Sequence, residues 1–293
     1  MRPFFKRPVT IAVAILAALC LFIFLSLRKP PATPKIAPIE TSQSSPIYKV
    51  IGTSVQGRNI ESYTYGDGKR LLVFVGGIHG GYEWNAVLLA YQFMDYLSNN
   101  PSIIPSNLTV IVIPDTNPDA VYSVIGKDGR FTAADVSTSS QILSAGRFNA
   151  DKVDLNRNFD CKWKPESTWQ NKTVSGGSTT FSEPESQAIK NFALQNNPSA
   201  FVFWHSQSGT VYASQCNNGI LPETLDIMNA YSKASGYAAS KSFDAYATSG
   251  AADDWLASIN IPAITVELKT HNDTDWGQNL AGIKALFAYY SQK

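Results

Sequence analysis

Four short, almost uncharged runs limit what this chain can fold into. They are "RLLVFVGGIH" (70–79), "LTVIVIPD" (108–115), "SAFVFWHS" (199–206) and "IPAITVEL" (261–268). Continuous apolar runs of this length read as strands buried on both faces, not as one-sided strands with alternating polarity. Helical patterns stand between them at "NAVLLAYQFMDYLSNN" (85–100), "SEPESQAIKNFALQNN" (182–197) and "AGIKALFAYYSQK" (281–293). In the second helix Ser182 reads as the N-cap, with Pro184 and Glu185 in the first turn. The 108–115 run continues into an Asn117-Pro118 turn. Strands interleaved with helices predict an α/β fold, a sheet covered on both faces. In such sheets ligands bind at the carboxyl ends of the strands.

Three of the four runs end on a residue that can do chemistry. His79 closes one, His205 another and Glu267 a third, and Glu83 follows His79 by four residues. A lone histidine at a strand end is usually a satisfied structural residue. The chain has three histidines, and two occupy equivalent places near a carboxylate, which weakens that reading. His79, Glu83 and His205 make a two-histidine, one-glutamate set, the pattern of a catalytic zinc site with one position left for water. Alternatively, Glu83 is a charge at a helix N-terminus that favours the macrodipole. Glu267 ends so apolar a strand that it must be paired or functional, because an unpaired buried carboxylate is costly. The third histidine, His271, sits in "KTHNDTDW" and reads as a loop residue rather than a ligand.

The chain length of 293 residues suits one globular domain with a sizeable core. A net charge of +1 with 16% charged residues gives no basic excess for nucleic acid. The N-terminal part differs from the rest. Arg2, Lys6 and Arg7 precede "VTIAVAILAALCLFIFLSL" (9–27), and Arg28 and Lys29 follow it. Roughly 20 apolar residues suffice to cross the hydrocarbon of a bilayer as a helix, and a cleaved signal has a shorter apolar core. Residues 1–28 are therefore expected to be an uncleaved anchor in the lipid bilayer, with the domain exported. Residues 29–47, rich in Pro, Ser and Thr, read as an extended tether. Residues 48–293 remain as the folded domain. Cys20 lies in the apolar stretch. Cys161 and Cys216 are then either one disulfide, as exported domains allow, or two buried thiols.

The motifs "IGTSVQGRNIESYTYG", "GGIHGGYEWN", "NPDA", "RFNADKVDLNRNF", "SGGSTTFSEPES", "FWHSQSG", "YATSGAADDW" and "IPAITVEL" follow one another in an order that resembles the M14, or carboxypeptidase A-like, zinc metallocarboxypeptidases. The resemblance covers nearly all of 48–293. It implies a central mixed, mostly parallel eight-stranded sheet flanked by helices and one Zn²⁺ per chain. Separately, the chain is expected to be a monomer. The family's first zinc motif has two residues between His and Glu; here Gly80, Gly81 and Tyr82 intervene between His79 and Glu83, one residue more.

Matching the remaining motifs position by position, the resemblance implies that Asp154 accepts a hydrogen bond from the first zinc histidine. Asn156 and Arg157 would hold the substrate's terminal carboxylate, a task suited to the arginine fork. Arg147 would lie over the scissile carbonyl and stabilise the oxyanion. Glu267 would be the general base and acid, and Tyr246 would close over the substrate's end. Asp253 falls where the family sets side-chain preference, implying a basic or diamino-acid leaving residue. The implied partner is a peptide with a free C-terminal carboxylate. Three other readings compete: a cell-wall amidase cutting γ-D-glutamyl-diaminopimelate peptides, an N-acyl-amino-acid deacylase and an inactive peptide-binding homologue.

Overall fold

The computed structural model describes residues 45–293. The expected anchor, and the expected tether up to residue 44, lie outside the described residues. Among the described residues, no helix is long and apolar enough to cross a membrane.

The main sheet contains β1 (Ile47–Thr53), β2 (Asn59–Tyr65), β3 (Arg70–Val75), β4 (Leu108–Ile113), β7 (Ala200–Ser206), β8 (Thr210–Ala213), β9 (Ala238–Ser240) and β10 (Ala263–Leu268). A separate hairpin pairs β5 (Glu166–Trp169) with β6 (Lys172–Ser175). The helices are α1 (Trp84–Asn99), α2 (Pro118–Ile125), α3 (Ser140–Ala145), α4 (Pro184–Asn196), α5 (Pro222–Ser235), α6 (Ala252–Ser258) and α7 (Trp276–Ser291). The order across the eight-stranded sheet is β1-β2-β4-β3-β7-β10-β8-β9. The central pairs β4/β3, β3/β7 and β7/β10, together with β8/β9, are parallel. The remaining ladders, β1/β2, β2/β4 and β10/β8, are antiparallel. The sheet is thus mixed and mostly parallel.

Side chains alternate across a strand, and here the alternation divides the interior in two. Leu72 and Phe74 of β3, Val202 and Trp204 of β7, and Ile264 and Val266 of β10 pack on the face covered by α1, α5 and α7. Val73 and Val75, Phe201 and Phe203, and Ala263 pack on the opposite face, under α4 and α6. Both faces are dry, which is why the strands read as unbroken apolar runs.

Two local expectations are corrected. Ser182 does not cap α4: the N-cap is Glu183, without a side-chain cap, and the Ser182 hydroxyl donates instead to Glu183 Oε1 at 2.7 Å. Asn117-Pro118 is a helix start rather than a simple turn. The Asn117 side chain accepts from Ala120 N, and Pro118 takes the first turn of α2, where its missing N–H costs nothing.

Several of the sequence motifs turn out to hold the loops together. Asp119 of "NPDA" accepts from the Ser54 hydroxyl at 2.7 Å and pairs with Arg58 at 2.8 Å, tying the β1–β2 turn to α2. Asn149 donates to Glu183 at 2.7 Å and Glu185 at 3.1 Å, tying the "RFNA" segment to the start of α4.

Candidate active site

The alternation that divides the core also places the chemistry. His205 continues the face of Phe201 and Phe203, and Glu267 continues the face of Ala263 and Thr265. The two are register partners across the parallel β7/β10 ladder. At this end of the strands that face is uncovered, and a cleft of about 340 Å³ opens there.

His79 arrives by a different route. After β3 the chain turns through Gly76 and Gly77, and His79 caps a short 3-10 turn, Gly80–Glu83. This turn lies directly on α2. A Cβ on Gly80 would collide with Ala120, and one on Gly81 with Val124; Gly80 also has φ +49°. Only glycines allow so close an approach. The extra residue between His79 and Glu83 is taken up within this turn, and Glu83 still reaches its neighbours. Its Oε2 lies 3.0 Å from His205 Nδ1 and accepts from Ser206 N at 3.2 Å. One donor atom from each of His79, Glu83 and His205 falls within 4.8 Å of the others. All three side chains are buried.

Arg147 and Asp154 form a buried pair next to them. Arg147 Nε and Nη2 both approach Asp154 Oδ2, at 3.0 and 2.9 Å, and Nη1 lies 3.7 Å from Glu83 Oε1. The guanidinium sits 4.7 Å over the Trp169 ring. Asp154 Oδ1 accepts from Asn156 N at 3.1 Å. It lies 3.4 Å from His79 Nδ1, within ion-pair reach but without the alignment of a hydrogen bond.

Arg157 is buried and already engaged with backbone. Nε and Nη2 donate to Thr168 O, and Nη1 donates to Asn156 O at 2.8 Å. A guanidinium carries five N–H groups, so each terminal nitrogen keeps one. The Asn156 carbonyl oxygen of the side chain accepts from Ala252 N at 2.9 Å. Arg157, Asn156 and Tyr246 all line the cleft, and Tyr246 packs edge-on against Phe243 at 4.8 Å.

Both Asp253 and Asp254 line the same cleft. Thr265 Oγ1 donates to Asp253 at 3.0 Å, and Gln215 N donates to Asp254 at 2.8 Å. Gln215 precedes Cys216, which forms a disulfide with Cys161. Of the two readings left open by sequence, the bonded one holds.

The electrostatics follow from burial. The His79 imidazole is held well below its ordinary pKa, by burial first and by Arg147 second, and so is neutral. Burial also opposes protonation of His205, but the charge and hydrogen bond of Glu83 outweigh it, and the net shift is upward. Burial, then the nearby Glu83 charge, push Glu267 up to about 7. The adjacent carboxyl of Asp254 rises to about 8, through burial and then the charge of Asp253.

Sequence reasoning passed over Tyr82, Trp169 and His271 as cleft residues; Asp254, one residue from Asp253 and interchangeable with it by a single slip of the motif, lines the cleft as well. His271 does lie in a loop after β10, yet it faces the cleft, with its ring 4.7 Å from that of Tyr82. Its partners are far away in sequence, so no local signal marked it.

The sequence model of the peptidase M14 family, described as zinc carboxypeptidase, matches residues 39–281. The chain belongs to this family. Among curated relatives, it is 27% identical over 238 residues to γ-D-glutamyl-L-diamino acid endopeptidase 1 of Lysinibacillus sphaericus. That match covers 74% of this chain and 59% of the relative, so the chain spans about three fifths of the relative's length. Solved structures agree on the fold. Thrombin-activatable fibrinolysis inhibitor superposes with a TM-score of 0.67 at 18% identity, covering 85% of this chain and 70% of that one. The murein-tripeptide amidase MpaA of Escherichia coli O157 gives 0.62 at 19%, covering 87% and 96%. Carboxypeptidase A of Helicoverpa armigera gives 0.62 at 19%, covering 84% and 67%. At these identities the likeness is one of fold.

Proposed function

We propose that this zinc carboxypeptidase family member hydrolyses the amide bond before a terminal residue that bears a free carboxylate and a cationic side chain. One observation carries the reading. His79, Glu83 and His205 gather their donor atoms within 4.8 Å, and Glu267, Arg147 and Arg157 line the same cleft.

The residues present fit a zinc ion. Two imidazoles and a carboxylate are the nitrogen and oxygen donors that zinc takes in three-ligand hydrolytic sites. His79 Nδ1 is a buried nitrogen without a hydrogen-bond partner, and the Glu83–His205 pair holds a charge that a cation would share. When bound, Zn²⁺ supplies a Lewis acid and lowers the pKa of a coordinated water to about 7.

The protein's own groups do the rest. Glu267, poised near neutrality, accepts a proton from the attacking water and passes it to the leaving nitrogen. Arg147, oriented by Asp154, aims positive charge at the oxygen on which charge develops. Arg157 offers its two remaining terminal N–H groups to the substrate carboxylate, and Asn156 and Tyr246 flank it. Asp253 and Asp254 supply negative charge for the side chain of the departing residue.

A second reading is supported by the relative that cleaves γ-D-glutamyl-L-diamino acid bonds and by two carboxylates, rather than one, on the cleft wall. A diamino acid carries the amine those carboxylates favour. Parallel assays of benzoylglycyl-arginine and a γ-D-glutamyl-diaminopimelate peptide, each with a chelator control, separate the readings. Turnover of neither would refute the proposed function. The same proposal includes a membrane anchor at residues 1–28, an exported domain and a monomer. The Cys161–Cys216 disulfide supports the oxidising compartment. Carbonate extraction and light scattering test these points.

A further inference from the structure

The Ser206 hydroxyl lies between two polar side chains: Asn85 Oδ1 at 3.0 Å and His271 Nδ1 at 2.7 Å. Its single proton can go to only one of them, and Asn85 settles which. The Asn85 amide nitrogen donates to two backbone carbonyls, Thr270 O at 2.7 Å and Asp273 O at 2.8 Å. The side-chain oxygen therefore faces Ser206, and that oxygen can only accept. The hydroxyl proton goes to Asn85. The bond between Ser206 Oγ and His271 must then run the other way, with His271 Nδ1 as donor. A neutral imidazole that carries its proton on Nδ1 leaves Nε2 as a bare acceptor. Among the described residues Nε2 has no hydrogen-bond partner. Burial holds this imidazole below its ordinary pKa, against an opposing pull from Glu83.

The position of His271 says which part of a substrate it meets. Asp253 stands next to Ala252, whose N–H bonds Asn156, so the proposed pocket for the departing side chain and the proposed carboxylate site form one group. His271 belongs to another: it bonds Ser206 and packs on Tyr82, which are next in sequence to the metal-donor candidates His205 and Glu83. With the departing residue held by the first group, the second is left to the acyl side.

We infer that His271 is a substrate-binding residue whose Nε2 accepts a hydrogen bond from an N–H group on the acyl side of the bond to be cut. The Asn85–Ser206 relay sets its tautomer. The inference deepens the hydrolase reading and rests on it for the substrate's direction.

Two experiments test it. The first uses metal-free full-length protein labelled with ¹⁵N. With three histidines in the chain, the signals of His271 are those that vanish in His271→Gln. A proton on Nδ1 and none on Nε2 is expected. Benzoylglycinamide should move the Nε2 resonance, and its N-methylglycine analogue should not. A proton on Nε2, or an unmoved resonance, overturns the inference. The second experiment measures kcat/KM for benzoylglycyl-arginine and benzoyl-N-methylglycyl-arginine. His271→Phe should lose about tenfold on the first, the size of one hydrogen bond, and less than about twofold on the second. His271→Gln, which restores an acceptor near Nε2, should recover most of the loss. Equal losses on both substrates would reduce His271 to a structural part and overturn the inference. If the wild-type enzyme cleaves neither substrate, nor the γ-D-glutamyl-diaminopimelate peptide, the hydrolase reading fails separately, and the titration still decides the role of Nε2.

Discussion

Asp154 joins Arg147 and His79: Oδ2 receives two N–H groups of the arginine at 3.0 and 2.9 Å, while Oδ1 faces the imidazole at 3.4 Å. One carboxylate thus fixes Arg147, the proposed oxyanion group, and borders His79, a candidate metal donor. Removing one member of a buried ion pair strands the other, at a cost of about 3–5 kcal/mol. Asp154→Ala is expected to lose stability of that order in urea denaturation. Its kcat should fall more than its KM rises, because Arg147 loses its aim.

Glu267 gives a pH dependence whose sign can be worked out. Its carboxyl stands at about 7 in the folded protein against an ordinary 4.5. The stability it contributes is complete below 4.5 and is lost as pH rises through about 7. In metal-free protein, Glu267→Gln should therefore gain on wild type in thermal stability between those values, with no difference at pH 4. In the loaded enzyme, kcat/KM should rise with pH along an acid limb that this variant abolishes, with kcat down about 10²–10⁴-fold.

Metal analysis tests the three-donor set. Wild type is expected to bind one zinc, and His79→Ala, His205→Ala and Glu83→Ala to lose it while circular dichroism is unchanged. Glu83→Ala is the informative case, because its spacing from His79 departs from the family pattern. Full zinc occupancy in that variant would remove Glu83 from the set.

The two aspartates should differ from an inert wall in what they select. Asp253→Ala is expected to lower kcat/KM for an arginine or diamino-acid leaving group by about 10–100-fold, the scale of a hydrogen bond to a charged group. Turnover of a leucine leaving group should hardly change. A parallel fall on both would mean that Asp253 supports the fold only.

Cys161 and Cys216 are 55 residues apart. Closing a loop of that length limits the unfolded chain by up to about 4 kcal/mol in the chain-entropy model. Cys161→Ser should lose about 2–4 kcal/mol in chemical denaturation. Its KM for a cationic leaving group should also rise, because the bridge steadies Gln215 and, through it, Asp254.

The sequence conveyed the sheet and its chemical end because one rule governs both. Period two along β7 and β10 assigns Phe201, Phe203 and His205, or Ala263, Thr265 and Glu267, to one face without knowledge of any partner. Arg147, Asp154 and Arg157 could be placed only by resemblance, because a loop has no period to read. His271 does lie in a loop and outside the three-donor set, but its place in the cleft is not legible for a related reason. Its meaning comes from Ser206 and Asn85, which reach it only after the strands have assembled. Ser182 looked like a helix cap by composition, but Pro184 starts the helix two residues later and Ser182 serves the neighbouring glutamate instead.

The shared face of Phe203 and His205 has a consequence for quality control. A β7 strand that paired one position out of step would carry Phe201, Phe203 and His205 together to the opposite buried face, where rings shaped for one core would meet the other. The same error would take the imidazole out of the cleft. Misfit in the interior and loss of the chemistry thus arrive together.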